Sequence, residues 1–137
     1  MGIGSPTTVT DAFLFLHLLS AASLVAAVVC FTAVVRGAQL PVAVVRTFLP
    51  LWHVGLVGVF VFGLALAIDI DDYQPWDVWV LIAIGLWLAA GATGDKVPAA
   101  YRETDGAPIP ANVARTHWIS VLVVVLLLAD MVWKPWA

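Results

Sequence analysis

The segment TFLPLWHVGLVGVFVFGLALAI, residues 47–68, decides the fold class of this chain. It contains no aspartate, glutamate, lysine or arginine. A helix of about 20 apolar residues crosses the roughly 30 Å of hydrocarbon in a bilayer. Because unpaired backbone groups are costly in lipid, a continuous apolar segment of this length crosses as a helix, whereas barrel strands are shorter and alternate. The segment therefore predicts a transmembrane α-helix.

Three further apolar stretches surround this segment, at about residues 11–35, 76–93 and 113–133. Of the 137 residues, 63% are hydrophobic and 11% are charged, which is more apolar surface than a soluble domain of this size could bury. We predict an all-α fold, a four-transmembrane-helix bundle that forms a single membrane domain over residues 1–137. The polar segment 94–112 is predicted to be a loop.

The basic residues predict the orientation of the bundle. They are Arg36 and Arg46 at the first loop, Lys96, Arg102 and Arg115 at the third, and Lys134 after the last helix. Because cytoplasmic loops carry an excess of lysine and arginine, the first and third loops are predicted to be cytoplasmic. Both termini and the acidic second loop, with Asp69, Asp71 and Asp72, are then outside. The expected location is the cell membrane.

Four ionisable side chains fall inside the apolar segments: His17, His53, His117 and Asp130. Such residues are expensive in lipid, so each is a candidate functional residue. If Thr47 and Asn112 cap their helices, His53 and His117 both lie roughly 7 to 9 Å beyond the caps. Two imidazoles at one depth on different helices could bind the iron of haem b, or another transition-metal ion.

His17 lies near the other end of the bundle, so it cannot share one metal ion with His53 and His117. Asp130 is its nearest acidic neighbour in predicted depth, and a His17–Asp130 pair would suit proton transfer or capture of a metal ion. The alternative for all three histidines is structural, since interfacial imidazoles also hydrogen bond to head groups, water or carbonyl groups. Both interpretations are open at the level of sequence.

Small residues predict where the helices pack. Gly55, Gly58 and Gly63 form a broad glycine face on the second helix, and Ala21 lies on a small-residue face of the first. Such faces allow close helix approach with or without a cofactor. They also fit an accessory or scaffold subunit that binds a partner protein or a second copy of the chain.

The sequence contains no phosphate-binding loop, no Ser/His/Asp hydrolase signature and no HExxH motif. The net charge is −3, and topology explains the basic residues, so we do not expect nucleic-acid binding. We also do not expect an enzyme that acts on its own.

Four motifs suggest a family. They are Phe15-Leu-His17-Leu-Leu, Val57-Gly-Val-Phe-Val-Phe-Gly63-Leu-Ala-Leu, Trp79 at the start of the third helix, and Met131-Val-Trp-Lys134-Pro135. Through them nearly the whole chain resembles the small four-helix membrane proteins related to copper-resistance protein D and to HemJ-type protoporphyrinogen oxidase. The resemblance implies that His17 is the signature position. It implies haem binding and porphyrinogen oxidation in one branch, and metal handling in the other.

The leading hypothesis is a multi-pass membrane protein that binds haem b or a metal ion through intramembrane histidines and passes electrons within a larger assembly. The similar predicted depth of His53 and His117 favours this pair as ligands of haem or a metal ion, whereas the family resemblance favours His17. One alternative is a cofactor-free accessory or scaffold subunit, alone or as a homo-oligomer. Another is a small transporter or proton pathway that uses His17 and Asp130.

Overall fold

A computed structural model describes residues 6–69 and 76–133, which form five α-helices. Their bounds are α1 Pro6–Val35, α2 Val42–Asp69, α3 Val78–Thr93, α4 Lys96–Glu103 and α5 Ala111–Trp133. Four helical spans are long and apolar enough to cross a membrane, and the third runs from α3 through a turn into α4. The prediction of an all-α, four-helix, multi-pass membrane protein is confirmed.

The long helices associate as two pairs. α1 packs along most of α2, and α3 packs along α5, whereas α2 with α3 and α1 with α5 make fewer contacts. The outward faces carry large exposed apolar side chains, including Phe15, Leu88 and Leu122. In water such a surface would be unstable, but in a bilayer these side chains face lipid.

The start of α2 differs from the prediction. The helix begins at Val42, and the carbonyl of Pro41 accepts hydrogen bonds from the N–H groups of Val44 and Val45. Thr47 is therefore inside the helix, where its hydroxyl donates to the carbonyl of Ala43 at 2.8 Å, and the prediction that it caps α2 was wrong. Since α2 starts five residues earlier than predicted, every residue along it lies about 7 Å further from the start of the helix.

The link between α1 and α2 is short because α1 ends in a tight turn. Gly37 has a φ of 98°, a conformation that favours glycine. Its N–H donates to the carbonyl of Val34, and the N–H of Ala38 donates to that of Ala33. This hydrogen-bond pattern is the usual glycine-based end of a helix, and it returns the chain directly into α2.

The segment predicted as a loop, residues 94–112, contains the amphipathic helix α4. Val97 and Tyr101 are buried against the ends of the long helices, while Lys96 and Arg102 are exposed. The Tyr101 hydroxyl donates to the carbonyl of Leu40 in the first loop. This helix was not predicted, because it has only eight residues and is flanked by prolines and glycines, which is too short a segment for its apolar periodicity to be recognised. It covers the end of the bundle at which the first loop also lies.

Some predictions concern residues that are not described. Asp71 and Asp72 of the second loop lie outside the described residues, and so do Lys134 and Pro135 at the end of the chain. The orientation in the membrane and the assignment of one domain to residues 1–137 stay predictions.

Candidate functional site

A half-enclosed cavity of about 140 Å³ lies where α1, α2, α3 and α5 meet. Within the described residues, His17 is the one ionisable side chain that lines it, and the rest of the lining is apolar or aromatic. We call this space the His17 cavity. Its lining residues include Leu14 and His17 of α1, Phe60, Gly63 and Leu64 of α2, Trp79, Ala83, Ile84 and Trp87 of α3, and Leu127 and Met131 of α5.

A glycine makes room for the imidazole of His17. A β-carbon added at Gly63 would lie 3.1 Å from Cε1 and 3.3 Å from Nδ1 of His17, and 3.6 Å from Cε of Met131. Gly63 thus brings side chains from α1 and α5 onto the surface of α2. His17 is only 9% exposed, so its imidazole is held in the interior of the bundle.

Trp87 and Phe60 form an aromatic wall of the cavity. Their ring centroids are 4.6 Å apart, and the rings are tilted by 33°. The indole N–H of Trp87 donates to the carbonyl of Leu56 at 2.7 Å, which fixes the ring from α3 against α2. The sequence reading assigned no role to Trp87. Its position in the middle of the third apolar segment could have predicted a contact with another helix, because an indole N–H in lipid needs a hydrogen-bond acceptor.

The His17 cavity is only half-enclosed. Leu14, which lines it from α1, is 45% exposed, and Leu64 and Ile84 are half-buried. The lining therefore reaches the lipid-facing surface of the bundle. A molecule dissolved in the hydrocarbon could reach the cavity from there.

The closest approach of α1 and α2 is at Gly55. A β-carbon at Gly55 would lie 2.9 Å from the backbone nitrogen of Leu24 and 2.9 Å from the carbonyl oxygen of Ser20. Gly63, which contacts His17, is about 12 Å further along α2, so the His17 cavity lies between this crossing and the end of α2 at Asp69.

His117 is buried in the interface between α5 and α1. Its Nε2 atom lies 2.9 Å from the hydroxyl of Thr32, and that hydroxyl donates its one proton to the carbonyl of Val28 at 2.7 Å. With the hydroxyl proton assigned to the carbonyl of Val28, the hydroxyl accepts from the imidazole and the Nε2 tautomer of His117 follows. The hydrogen bond makes His117 a structural link between two helices.

His53 has a different environment from His117. It is exposed on α2, and within the described residues α2 and α5 hardly touch. The estimate of equal depth assumed that Thr47 caps α2, but α2 starts at Val42, so His53 is about 16 Å along its helix and His117 about 9 Å along α5. The structure does not bring this predicted pair together. Haem and metal binding by it stay predictions without geometric support.

Asp130 is buried near the His17 end of α5. It is 7% exposed and precedes Met131, whose methyl group lies beside Gly63 together with His17. Its Oδ2 atom makes no hydrogen bond with the part of the chain that the structure describes. No group of three or more potential metal ligands occurs among the described residues. The metal site at His17 and Asp130 stays a two-residue prediction.

The predicted packing residues lie mostly where α1 and α2 meet. Gly55 and Gly58 are buried, and a β-carbon at Gly58 would lie 2.0 Å from Oγ of Ser20. Gly63 contacts His17, and Ala21 is half-buried beside Ser20. Gly94, which the sequence reading did not single out, is also a close-contact glycine: it faces Trp52.

Comparisons with protein-family models, curated proteins and solved structures found no match. The resemblance to the copper-resistance and HemJ-type proteins therefore stays a prediction, and so do the roles that it implies for His17.

The size of the His17 cavity limits what it can hold. An engineered apolar cavity of roughly 150 Å³ accommodates one benzene ring. The His17 cavity is about 140 Å³, whereas a porphyrin contains four pyrrole rings and needs several times this volume. The imidazole of His17 could hold a haem, but the macrocycle would fit only if the helices around the cavity separated. As it stands, the cavity fits one ring.

The hydrogen bond between His117 and Thr32 gives a first prediction. Thr32→Val should lower the free energy of unfolding by about 1 to 2 kcal/mol, because it leaves a buried imidazole N–H without its acceptor. His117→Leu should cost a similar amount, and the double variant less than the sum. Unfolding in mixed detergent micelles, followed by circular dichroism, measures these values.

Thr47→Val is the matched control, since the Thr47 hydroxyl bonds only within its own helix and is exposed. It should change stability by less than about 0.5 kcal/mol. Additive effects of Thr32→Val and His117→Leu would show that the two side chains are not coupled.

Proposed function

We propose that this protein binds a membrane-soluble molecule with a single polar ring, of the chemical class of the quinones, in the His17 cavity. The observation that carries the proposal is one imidazole in a half-enclosed apolar cavity of single-ring size, whose lining residue Leu14 is exposed at the bundle surface. In a larger membrane assembly, such binding would provide the electron-transfer role predicted from the sequence.

The polar and aromatic groups of the cavity suit the two parts of such a ring. The imidazole of His17 can donate a hydrogen bond to a carbonyl oxygen or accept one from a hydroxyl group. Phe60 and Trp87 offer aromatic faces for offset stacking of the ring. Ligand sites commonly combine a mostly apolar lining with a few polar groups that fix the orientation.

The position of the cavity suits access from the membrane. It lies beside Gly63, towards the end of α2 at Asp69, so a head group can bind there while its tail stays in hydrocarbon. Leu14 lines the cavity and is 45% exposed, so the tail has a route out to lipid beside α1. A water-soluble ligand would have no comparable advantage from this opening.

The test is binding of a short-tailed benzoquinone to the protein in lipid nanodiscs, measured by quenching of tryptophan fluorescence. We expect saturable quenching, since Trp79 and Trp87 line the cavity. His17→Leu should weaken binding by about tenfold, which corresponds to loss of one hydrogen bond in a site shielded from water. Ala83→Leu, which fills the cavity without removing a polar group, should also weaken binding.

His53→Leu is the control, because His53 lies outside the cavity on the surface of α2. It should bind the quinone as the wild type does. Unsaturable quenching, or equal affinity of His17→Leu and wild type, would contradict the proposal. In a separate experiment, haem is added to the wild type and to His17→Leu. A Soret band that appears only in the wild type would favour the haem prediction over a one-ring ligand.

A further inference from the structure

We propose that an anionic phospholipid binds along one side of α2, with its phosphate group at Arg46 and one acyl chain in a groove beside His53. Arg46 and His53 are seven residues apart, which places them on the same side of a helix, and both are exposed. We call this surface the Arg46 face; its exposed residues are Arg46, Pro50, His53, Val57 and Val61. No residue of the Arg46 face lines the His17 cavity.

The Arg46 face begins at the end of the bundle that α4 covers. Trp52, next to His53, packs against Gly94 in the turn between α3 and α4. Arg46 is about 10 Å closer than His53 to the start of α2 along the helix axis. A long arginine side chain near the end of a membrane span extends to the lipid head groups. The Arg46 face therefore carries its charge at the polar end of α2 and only apolar side chains beyond His53.

No acidic side chain neutralises Arg46. The sequence between Asp11 and Asp69 contains no aspartate or glutamate, so the first loop and the two helix ends beside it contribute only cations. No ion pair joins Arg46 to residues 6–69 or 76–133. A guanidinium group forms paired hydrogen bonds with a phosphate group, so an anionic head group is complementary to Arg46. A zwitterionic lipid suits this face less, because it brings a cationic group for which the face has no carboxylate.

The groove beside His53 suits an acyl chain. Its lining residues are Ser20, His53, Val54, Val57, Gly58 and Phe62. The Ser20 hydroxyl donates its proton to the carbonyl of Leu16, whereas the imidazole of His53 makes no hydrogen bond with the described residues. Of the lining residues on α2, His53 is nearest to Arg46. Its imidazole can therefore donate to an ester carbonyl of a lipid whose phosphate is at Arg46 and whose chain lies in the groove.

The first test counts bound lipid by native mass spectrometry, with the full chain in detergent and phosphatidylglycerol or phosphatidylcholine as the probe. Phosphatidylglycerol should bind more tightly, and Arg46→Gln should weaken its binding by about five- to tenfold. Arg115→Gln is the matched control, because Arg46 and Arg115 are both exposed and each is the fifth residue of its helix. Equal affinity for the two lipids, or equal weakening by both substitutions, would overturn the proposal.

The second test separates a bound lipid from a bound phosphate group. Glycerol phosphate, which has no acyl chains, should not displace phosphatidylglycerol. His53→Leu should weaken phosphatidylglycerol binding by about three- to tenfold, the range expected for intramembrane hydrogen bonds. His53→Gln should restore much of the affinity, because an amide N–H also donates. Displacement by glycerol phosphate, or wild-type affinity of His53→Leu, would contradict the proposed contacts.

Discussion

Gly94→Ala should lower the free energy of unfolding by about 3 kcal/mol, the upper part of the range for overpacked cores. A β-carbon at Gly94 would lie 1.7 Å from Cζ2 of Trp52 and 2.4 Å from both Cε2 and Cη2. Trp52 is fully buried, with Phe31 packed beside it at a centroid distance of 6.4 Å, so the indole has no free space to enter. The turn between α3 and α4 would have to move away from α2.

The expected loss is steric and does not come from backbone strain. Gly94 has φ −80° and ψ −14°, a conformation that alanine adopts readily. Gly91→Ala, one turn earlier and facing open space, is the matched control and should be neutral or stabilising by up to about 1 kcal/mol. Unfolding in detergent, followed by circular dichroism, measures both variants.

A double variant identifies the contact responsible. Trp52→Leu removes the atoms that a β-carbon at Gly94 would meet, so Gly94→Ala should cost far less in that background than in the wild type. An unchanged cost would show that the indole is not what opposes the alanine. Equal stability of Gly94→Ala and Gly91→Ala would contradict the prediction directly.

The fold was predictable from sequence because lipid imposes one strong constraint. Residues 47–68 could cross a bilayer only as a helix, and the same constraint applied to the three other apolar segments. The start of α2 was less predictable. Thr47 looks like a capping residue, but the apolar residues after Pro41 already extend the helix, and Pro50 is tolerated within it.

The candidate site was only partly predictable. His17 stood out because an imidazole in an apolar helix is costly, but its cavity is assembled from four helices that are distant in sequence. The hydrogen-bond partner of His117 could not be predicted either, since Thr32 is 85 residues away in sequence. Trp52 is fully buried, although it lies near the start of its apolar segment, where tryptophans commonly face the membrane interface. Helix-helix register decides these contacts, and hydropathy does not report it.

Gly55→Ala should lower the free energy of unfolding by about 2 kcal/mol, because it prevents the closest approach of α1 and α2. The added β-carbon would lie 2.9 Å from the backbone nitrogen of Leu24 and 2.9 Å from the carbonyl oxygen of Ser20. Backbone atoms cannot rotate away, so the helices must separate and lose packing along their length. Gly85→Ala, which meets open space, is the control and should not destabilise.

Gly58 provides the comparison that tests why Gly55 is needed. A β-carbon at Gly58 would meet only the Ser20 side chain at close range, 2.0 Å from Oγ and 2.7 Å from Cβ. Ser20→Gly removes both atoms and should therefore rescue much of the stability lost in Gly58→Ala. It should not rescue Gly55→Ala, because the opposing atoms there belong to the backbone of α1. Equal rescue of both variants would show that α1 and α2 are not in backbone contact at Gly55.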